Sequence, residues 1–226
     1  MRTCESRSRI PTQGGLATIK ISFEVPVAHL NDIRGDSHFI IAPWVTRSSI
    51  YHDFYKQADG YKILDNGAYE TGKPVNLHEL MKIARDLRVQ TVVIPDVLRD
   101  FDRSFRLLKD AGEMPKIVKH QFNWMVVPQA QTPSEWLLSY TAIIGLAEKL
   151  FPSEKLIIGM PIWLDRTSEI LNRGRIFEAL NAKDRWRPDL RHHYLGVHRL
   201  FDFDVLSSHF DSMDTDWPIK IGAFDP

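Results

Sequence analysis

The chain is poor in cysteine and has no excess of either charge. Its 226 residues include a single cysteine, Cys4, which excludes a disulfide framework within the chain and a cysteine-rich zinc site. Lys plus Arg and Asp plus Glu both number 29, so the formal net charge is zero. This balance argues against a protein that coats nucleic acid through bulk charge, but it leaves room for a local basic patch.

Long apolar segments are absent as well. We find no signal-peptide core and no apolar run of membrane-spanning length, which predicts a cytoplasmic protein without a membrane partner. The chain also lacks a glycine-rich phosphate loop, a Ser-His-Asp order and a pair of histidines at metal-ligand spacing. We therefore expect neither a metal ion nor a cofactor.

What is present is typical of a globular protein. The chain is 43% hydrophobic and 26% charged, and its length suffices for one well-packed domain. Residues 1–16 are rich in Arg, Ser, Thr and Gly and are predicted to form a flexible leader. Residues 17–226 are predicted to form a single domain.

Eight apolar runs predict strands, and most are continuous rather than alternating, which is typical of parallel strands buried on both faces. The predicted strands are residues 18–25, 38–44, 62–66, 90–95, 123–128, 155–160, 193–197 and 208–212.

Helical patterns fall between these runs. Helices are predicted at about residues 76–88, 101–111, 133–150, 170–180 and 199–206. The third begins with a capping box, because Thr132 precedes Pro133 and Glu135 follows three residues later. Eight strands with such crossovers predict an α/β fold, a compact (β/α)8 TIM barrel. The alternative is an open doubly wound sheet, although no dinucleotide fingerprint follows the first strand.

Polar and aromatic residues collect where the predicted strands end, which is where barrel enzymes carry their active sites. These residues are Trp44, Thr46, Arg47, Asp65, Asn66, Gly67, Tyr69, Glu70, Asp96, Gln129, Gly159, Met160, Trp163, Gly196, His198, Arg199, Asp211, Ser212 and Asp214. Aromatic rings can stack on a flat heterocycle while acids and an amide bind its edge. Guanine fits such a set, since its N1–H and exocyclic amine can donate to a carboxylate.

The order of these motifs resembles the tRNA-guanine transglycosylase superfamily over residues 38–220. The motifs are Asp65-Asn66-Gly67-Ala68-Tyr69-Glu70, Asp96, Val127-Pro128-Gln129, Ile158-Gly159-Met160, Tyr194-Leu195-Gly196-Val197 and Phe210-Asp211-Ser212. The chain is most similar to the short branch of that superfamily, the deazapurine DNA-modification transglycosylases of phages and bacterial genomic islands. The resemblance implies a (β/α)8 barrel in a bacterial cell or phage-infected host.

The resemblance also implies a reaction, the exchange of guanine in nucleic acid for a 7-deazaguanine base through a covalent sugar–enzyme intermediate. By position, Asp211 resembles the nucleophile that attacks the sugar C1′, and Asp65 resembles the general acid/base. A nearby carboxylate stabilises the oxocarbenium character that develops when a glycosidic bond breaks. Two acids in one site can have divergent pKa values, so that one is ionised and the other protonated.

Further residues resemble those that bind the base. Asp96 and Gln129 correspond to residues that contact the purine edge, Gly159 to a backbone donor to its carbonyl, and Tyr69 to the stacking aromatic. Asn66, Gly67 and Met160 complete the expected base-binding set.

Nucleic acid is the expected partner, with the phosphates held by arginines that follow strand ends. These are Arg47, Arg99, Arg166 and Arg199. Family members that act on tRNA carry a Cys-x-Cys-x2-Cys…His zinc site after the last strand, and this chain has no such cysteines. DNA is therefore the favoured substrate over tRNA, and a chain without net positive charge is expected to need a helper protein for DNA opening.

Two departures leave alternatives open. Asp65-Asn66-Gly67-Ala68 differs from the commoner Asp-Ser-Gly-Gly form, and Asp214 and Asp216 are rival nucleophiles near the last strand. The alternative functions are base exchange in tRNA, a hydrolytic nucleobase glycosylase, and a non-catalytic module that binds a deazapurine or nucleotide.

Overall fold

The computed structural model describes residues 20–32, 35–166, 173–197 and 211–215. The predicted leader and the predicted helix at 199–206 lie outside these ranges. The described chain is an α/β fold in which eight parallel strands close into a barrel in chain order. Because β1 pairs with β8, the sheet has no free edge, which excludes the open doubly wound alternative.

All eight predicted strands have an observed counterpart. The strands are β1 (Lys20–Glu24), β2 (Ser37–Ile41), β3 (Tyr61–Asp65), β4 (Thr91–Val93), β5 (Asn123–Val126), β6 (Leu156–Met160), β7 (Arg191–Tyr194) and β8 (Ser212–Thr215).

Helices lie between the strands in the described ranges. They are α1 (Ala42–Arg47), α2 (Ser49–Gln57), α3 (Ala68–Thr71), α4 (Leu77–Asp86), α5 (Phe101–Gly112), α6 (Lys116–Gln121), α7 (Pro133–Leu150), α8 (Trp163–Arg166) and α9 (Arg173–Asn181). Two short 3-10 turns occur at Val27–Asp32 and Ser153–Lys155. The predicted capping box of α7 is confirmed, because the Thr132 side chain accepts from the Glu135 backbone and Glu135 reciprocates. Side-chain caps also begin α4 at Asn76 and α5 at Asp100.

Two apolar layers hold the barrel together. One fills its interior with Phe39, Ile41, Ile63, Val93, Met125, Val127 and Ile157. The other lies between strands and helices and contains the largest buried aromatics, including Trp124, Trp136 and Tyr140. Burying both faces of each strand explains why most strands read as continuous apolar runs.

Three predicted strands have wrong boundaries. The seventh strand is Arg191–Tyr194 instead of 193–197. The second strand ends at Ile41 instead of Trp44, because Pro43 lies in the first turn of α1 and favours helix there. The last strand is Ser212–Thr215 instead of 208–212. Asp211 therefore precedes the strand inside which it was predicted to lie.

None of the helices in the described ranges has both the length and the apolar character needed to cross a membrane.

Candidate active site at the carboxyl ends of the strands

A cavity of about 260 Å³ opens at the carboxyl ends of the barrel strands. Its lining is Glu24, Phe39, Asp65, Asn66, Ala68, Tyr69, Glu70, Asp96, Leu98, Val127, Gln129, Pro161, Ile162, Trp163, Leu195, Gly196 and Asp214. Five of these residues are acids, and none is Lys or Arg. The volume is below the ~300–1,000 Å³ typical of drug-sized ligands, so the cavity suits one small group such as a base.

Asp65 ends β3 and lies on the cavity wall, where its Oδ2 accepts a hydrogen bond of 2.7 Å from the Gly67 backbone N–H. Burial raises the pKa of Asp65 well above its usual value. The negative charge of Glu70 raises that pKa further, against the lowering effect of the Gly67 N–H. The pKa of Glu70 is also raised, first by burial. Asp65 therefore tends to hold a proton.

The turn after Asp65 requires a glycine. Gly67 has a φ of 74°, and a Cβ on it would lie 2.3 Å from Cγ of Pro43. Asn66 stabilises the same turn, since its Oδ1 accepts from the Ala68 N–H at 2.8 Å. These two residues are thus explained by the backbone turn that presents Asp65, whether or not they also contact a ligand.

Asp96 and Gln129 form a buried hydrogen-bond network. The Asp96 carboxylate accepts from Asn66 Nδ2 and from Gln129 Nε2, both at 2.6 Å. Gln129 Oε1 in turn accepts from the Arg99 N–H and from Trp163 Nε1, both at 3.0 Å. Because Oε1 already faces two donors, the amide orientation is fixed and Nε2 must face Asp96.

Burial raises the pKa of Asp96 to about 6, although the hydrogen bonds from Asn66 and Gln129 act to lower it. Asp96 is 6% exposed and that small surface faces the cavity. The network therefore offers a preorganised carboxylate to any donor that enters.

Asp214 is the acid that β8 contributes to the cavity. Its Oδ1 lies 3.0 Å from Nε2 of His193, and its Oδ2 accepts from the Gly196 N–H at 3.0 Å. The residue is 2% exposed and lines the cavity. Hydrogen bonds to both oxygens stabilise a carboxylate and fix its orientation.

Asp211, the expected nucleophile, lies elsewhere. It precedes the first residue of β8, is exposed, and does not line the cavity. Its carboxylate accepts from the His192 N–H at 2.8 Å, and its backbone carbonyl accepts from the N–H of Lys20, the first residue of β1. These contacts put Asp211 at the amino-terminal end of the barrel, opposite the cavity. Its expected place in the site is therefore wrong, and the rival Asp214 occupies that place. Asp216, the other rival, lies outside the described residues.

The remaining predicted base-binding residues differ in position. Tyr69 lines the cavity and is half exposed, as a stacking residue at a rim would be. Gly159 does not line the cavity, and a Cβ on it would lie 2.9 Å from Val127 and 3.1 Å from Leu195, both lining residues. It thus lies beneath the cavity wall. Met160 is fully buried in the layer between strands and helices, away from the cavity.

Of the four expected phosphate-binding arginines, Arg47 and Arg99 have described side chains, and neither lines the cavity. Arg47 ends α1 and is exposed. Arg99 has a φ of 58°, and its guanidinium carbon lies 5.4 Å from the centre of the Trp163 ring, a cation–π contact beside the cavity. Arg166 ends α8, and Arg199 lies outside the described residues.

Sequence reasoning missed two residues of the site, Glu24 and His193, and it gave Glu70 no role. Glu24 lines the cavity as the last residue of β1, and Glu70 joins it from α3. His193 contacts Asp214 from inside β7. An acid at the end of the first strand was a usable signal for Glu24, whereas no local pattern distinguishes His193 from a core histidine.

Within the described ranges, no three His, Cys, Asp or Glu side chains converge as a metal site would require. The fold and the site together define a TIM-like barrel with an acid-lined cavity at the carboxyl ends of its strands. No protein-family model matches the chain, and a search of curated proteins finds no significant match either.

Proposed function

We propose that the protein is a base-exchange glycosyltransferase that replaces guanine in DNA with a 7-deazaguanine base, built on a full (β/α)8 barrel. One observation carries the proposal: Asp65 and Asp214 face a single base-sized cavity beside the fixed Asp96–Gln129 pair. Two acids of different environment are what a covalent displacement at a sugar carbon needs.

Asp214 is the nucleophile in this proposal, in place of Asp211. One of its oxygens bonds to C1′ while the C1′–N9 bond breaks, and the electron pair of that bond leaves with guanine. The two hydrogen bonds to Asp214 hold its carboxylate in the orientation needed for attack. Correct orientation of a reacting group accounts for a large part of enzymatic rate acceleration.

Asp65 is the general acid and then the general base. Burial raises its pKa, which favours the protonated form that a general acid needs, and that proton goes to the departing guanine. The resulting carboxylate takes the N9 proton of the incoming 7-deazaguanine, whose N9 then attacks C1′ and releases Asp214. Protons and electron pairs balance over the cycle, and the reaction needs no metal or cofactor.

Asp96 and Gln129 select the base. The Asp96 carboxylate accepts from N1–H and the exocyclic amine of a guanine-like edge, whereas adenine lacks the N1–H. Tyr69 at the rim supplies a stacking face, which requires that the target nucleotide leave the DNA stack.

The test is incorporation of labelled guanine into double-stranded DNA, single-stranded DNA and tRNA by the purified protein. Asp214→Asn should abolish both incorporation and the covalent adduct trapped by denaturation. Asp211→Asn is the matched control, because the same change at the opposite end of the barrel should leave incorporation within about twofold of wild type. If Asp211→Asn abolished incorporation and Asp214→Asn did not, the assignment of the nucleophile would be refuted.

Each possible outcome distinguishes the proposed reaction from one alternative function. Label in DNA supports it, while label only in tRNA indicates the tRNA reaction. Base release without incorporation indicates a hydrolytic glycosylase, in which water resolves the adduct. Binding of a 7-deazaguanine without any adduct indicates a non-catalytic binding module.

A further inference from the structure

The contact between His193 and Asp214 is among the most buried polar contacts in the described chain. The His193 side chain has no exposed surface and that of Asp214 is 3% exposed. The imidazole ring stacks on Phe39, with centroids 5.9 Å apart and planes 10° apart. Packing therefore fixes the plane of the ring as well as its position.

Both ring nitrogens of His193 have partners on β8. Nε2 lies 3.0 Å from Asp214 Oδ1, and Nδ1 lies 2.8 Å from Oγ of Ser212, two residues earlier on the strand. A carboxylate can only accept, so Nε2 must carry a hydrogen. In a neutral imidazole Nδ1 is then an acceptor, and the Ser212 hydroxyl donates to it.

The Asp214 carboxylate therefore fixes the histidine tautomer, and the Ser212 hydroxyl, which can donate or accept, is the hydrogen-bond partner of the other ring nitrogen. Without that hydroxyl, Nδ1 of the buried ring would lose this partner. The opposite oxygen of Asp214 is held by the Gly196 N–H, so both ends of the carboxylate are restrained by β7 and the loop that follows it.

We propose that His193 is a positioning residue, which aims the Asp214 carboxylate at the sugar through its Nε2–H while Ser212 holds the opposite edge of the ring. The proposal rests on the proposed function, in which Asp214 is the nucleophile. His193 does not line the cavity and so acts only through Asp214.

The kinetic test compares His193→Phe with His193→Gln. Phe keeps the ring packing on Phe39 but removes the donor, whereas the Gln amide can return an N–H near the position of Nε2. In single turnover at saturating DNA, His193→Phe should slow adduct formation about 10- to 100-fold, the usual cost of one hydrogen bond to a charged group. The dissociation constant for DNA should stay unchanged, and His193→Gln should recover most of the rate.

His192→Phe is the matched control on the same strand. His192 is equally buried, but it faces outwards, where it stacks on Trp186 and its Nε2 contacts the Tyr140 hydroxyl. It should lower stability without slowing adduct formation in the folded protein. An equal loss of rate in His193→Phe and His192→Phe, or no recovery with Gln, would overturn the positioning role.

A second measurement does not depend on the reaction. Nitrogen-15 NMR of the histidine rings should show a proton on Nε2 of His193, and Ser212→Ala should keep it there because the Asp214 carboxylate still faces that nitrogen. A wild-type ring protonated at Nδ1 alone would overturn the inference. If wild type forms no adduct, the proposed function fails and the rate effect with it, while the NMR result still decides whether His193 donates to Asp214.

Discussion

Asp96→Asn should change the pH dependence of stability by an amount that the structure sets. Burial raises the pKa of Asp96 from 3.8 to about 6. A carboxyl group with a raised pKa binds its proton more tightly in the folded chain, so stability falls as pH rises from the unfolded pKa to the folded pKa. At about 1.36 kcal/mol per unit, the full loss between pH ~4 and ~7 is roughly 3 kcal/mol.

The Asn variant cannot titrate, so it should lack this loss. The Asn side chain also lowers the free energy of unfolding by an amount that does not depend on pH, because its NH2 group must face another hydrogen-bond donor. Asn66 Nδ2 also donates to the Ile94 carbonyl, and Gln129 Oε1 accepts from two N–H groups, so neither amide can turn to accommodate it. That mismatch costs about 1–3 kcal/mol at every pH. The absolute stability of the variant is therefore less informative than its change with pH.

The assay is urea unfolding of both proteins, followed by tryptophan fluorescence between about pH 4.5 and 7.5. The free energy of unfolding of the variant should rise relative to wild type by about 2 kcal/mol over this interval. This is less than the full loss of roughly 3 kcal/mol, because part of that loss occurs below about pH 4.5. Val93→Ala is the control, since it weakens the same barrel interior without removing a titrating group. A difference between variant and wild type that stays constant within about 0.5 kcal/mol would refute the raised pKa of Asp96.

Two further predictions concern the scaffold. Gly67→Ala should lower the free energy of unfolding by more than about 2 kcal/mol, because it adds a clash with Pro43 to the strain of a positive φ. Gly72→Ala is the control, because Gly72 has the same φ of 74° but no atom lies within 4 Å of the new Cβ. Its free energy of unfolding in urea should fall only by the strain of about 1 kcal/mol. Equal losses of stability in the two variants would contradict the clash with Pro43. Lys62→Met should cost about 1–3 kcal/mol in the same assay, since Lys62 Nζ donates to two carbonyls at the ends of α2 and α4. A Met variant as stable as wild type would mean that these carbonyls find other donors.

The strands could be predicted because most of them are buried on both faces. In β6, for example, all five residues from Leu156 to Met160 are buried, and the predicted strand at 155–160 matches it closely. The start of α7 was equally predictable, because a capping box is a local signal that needs no tertiary contact. Helices α1 and α2 were missed, although Ser48 caps the second and Tyr51 and Tyr55 give it one buried face.

The eighth strand could not be delimited by the same rule. Asp214 lines the cavity from β8, Ser212 on the same face reaches His193, and Met213 packs in the outer apolar layer. A strand that lines the cavity with its inward face alternates polar and apolar residues. A rule that ends the strand at the first acid after an apolar run therefore selects Asp211, whereas Asp214 lines the cavity. The boundary error and the cavity have one cause, because an inward polar side chain interrupts the apolar pattern of the strand where it lines the cavity.

The charge of the cavity constrains how a nucleic acid can use it. Glu24, Asp65, Glu70, Asp96 and Asp214 line one cavity. The pKa values of Asp65 and Glu70 are raised first by burial and then by repulsion from neighbouring acids that include Asp96 and Asp214. Such a cavity repels phosphate but admits a neutral base that donates hydrogen bonds. On the proposed function, the flipped base enters while the backbone stays outside, where Arg99 is held against Trp163. On the same proposal, a chain with a net charge of zero gains little affinity from bulk electrostatics, and we expect the cost of extruding the base to fall on a partner or on DNA that is already open.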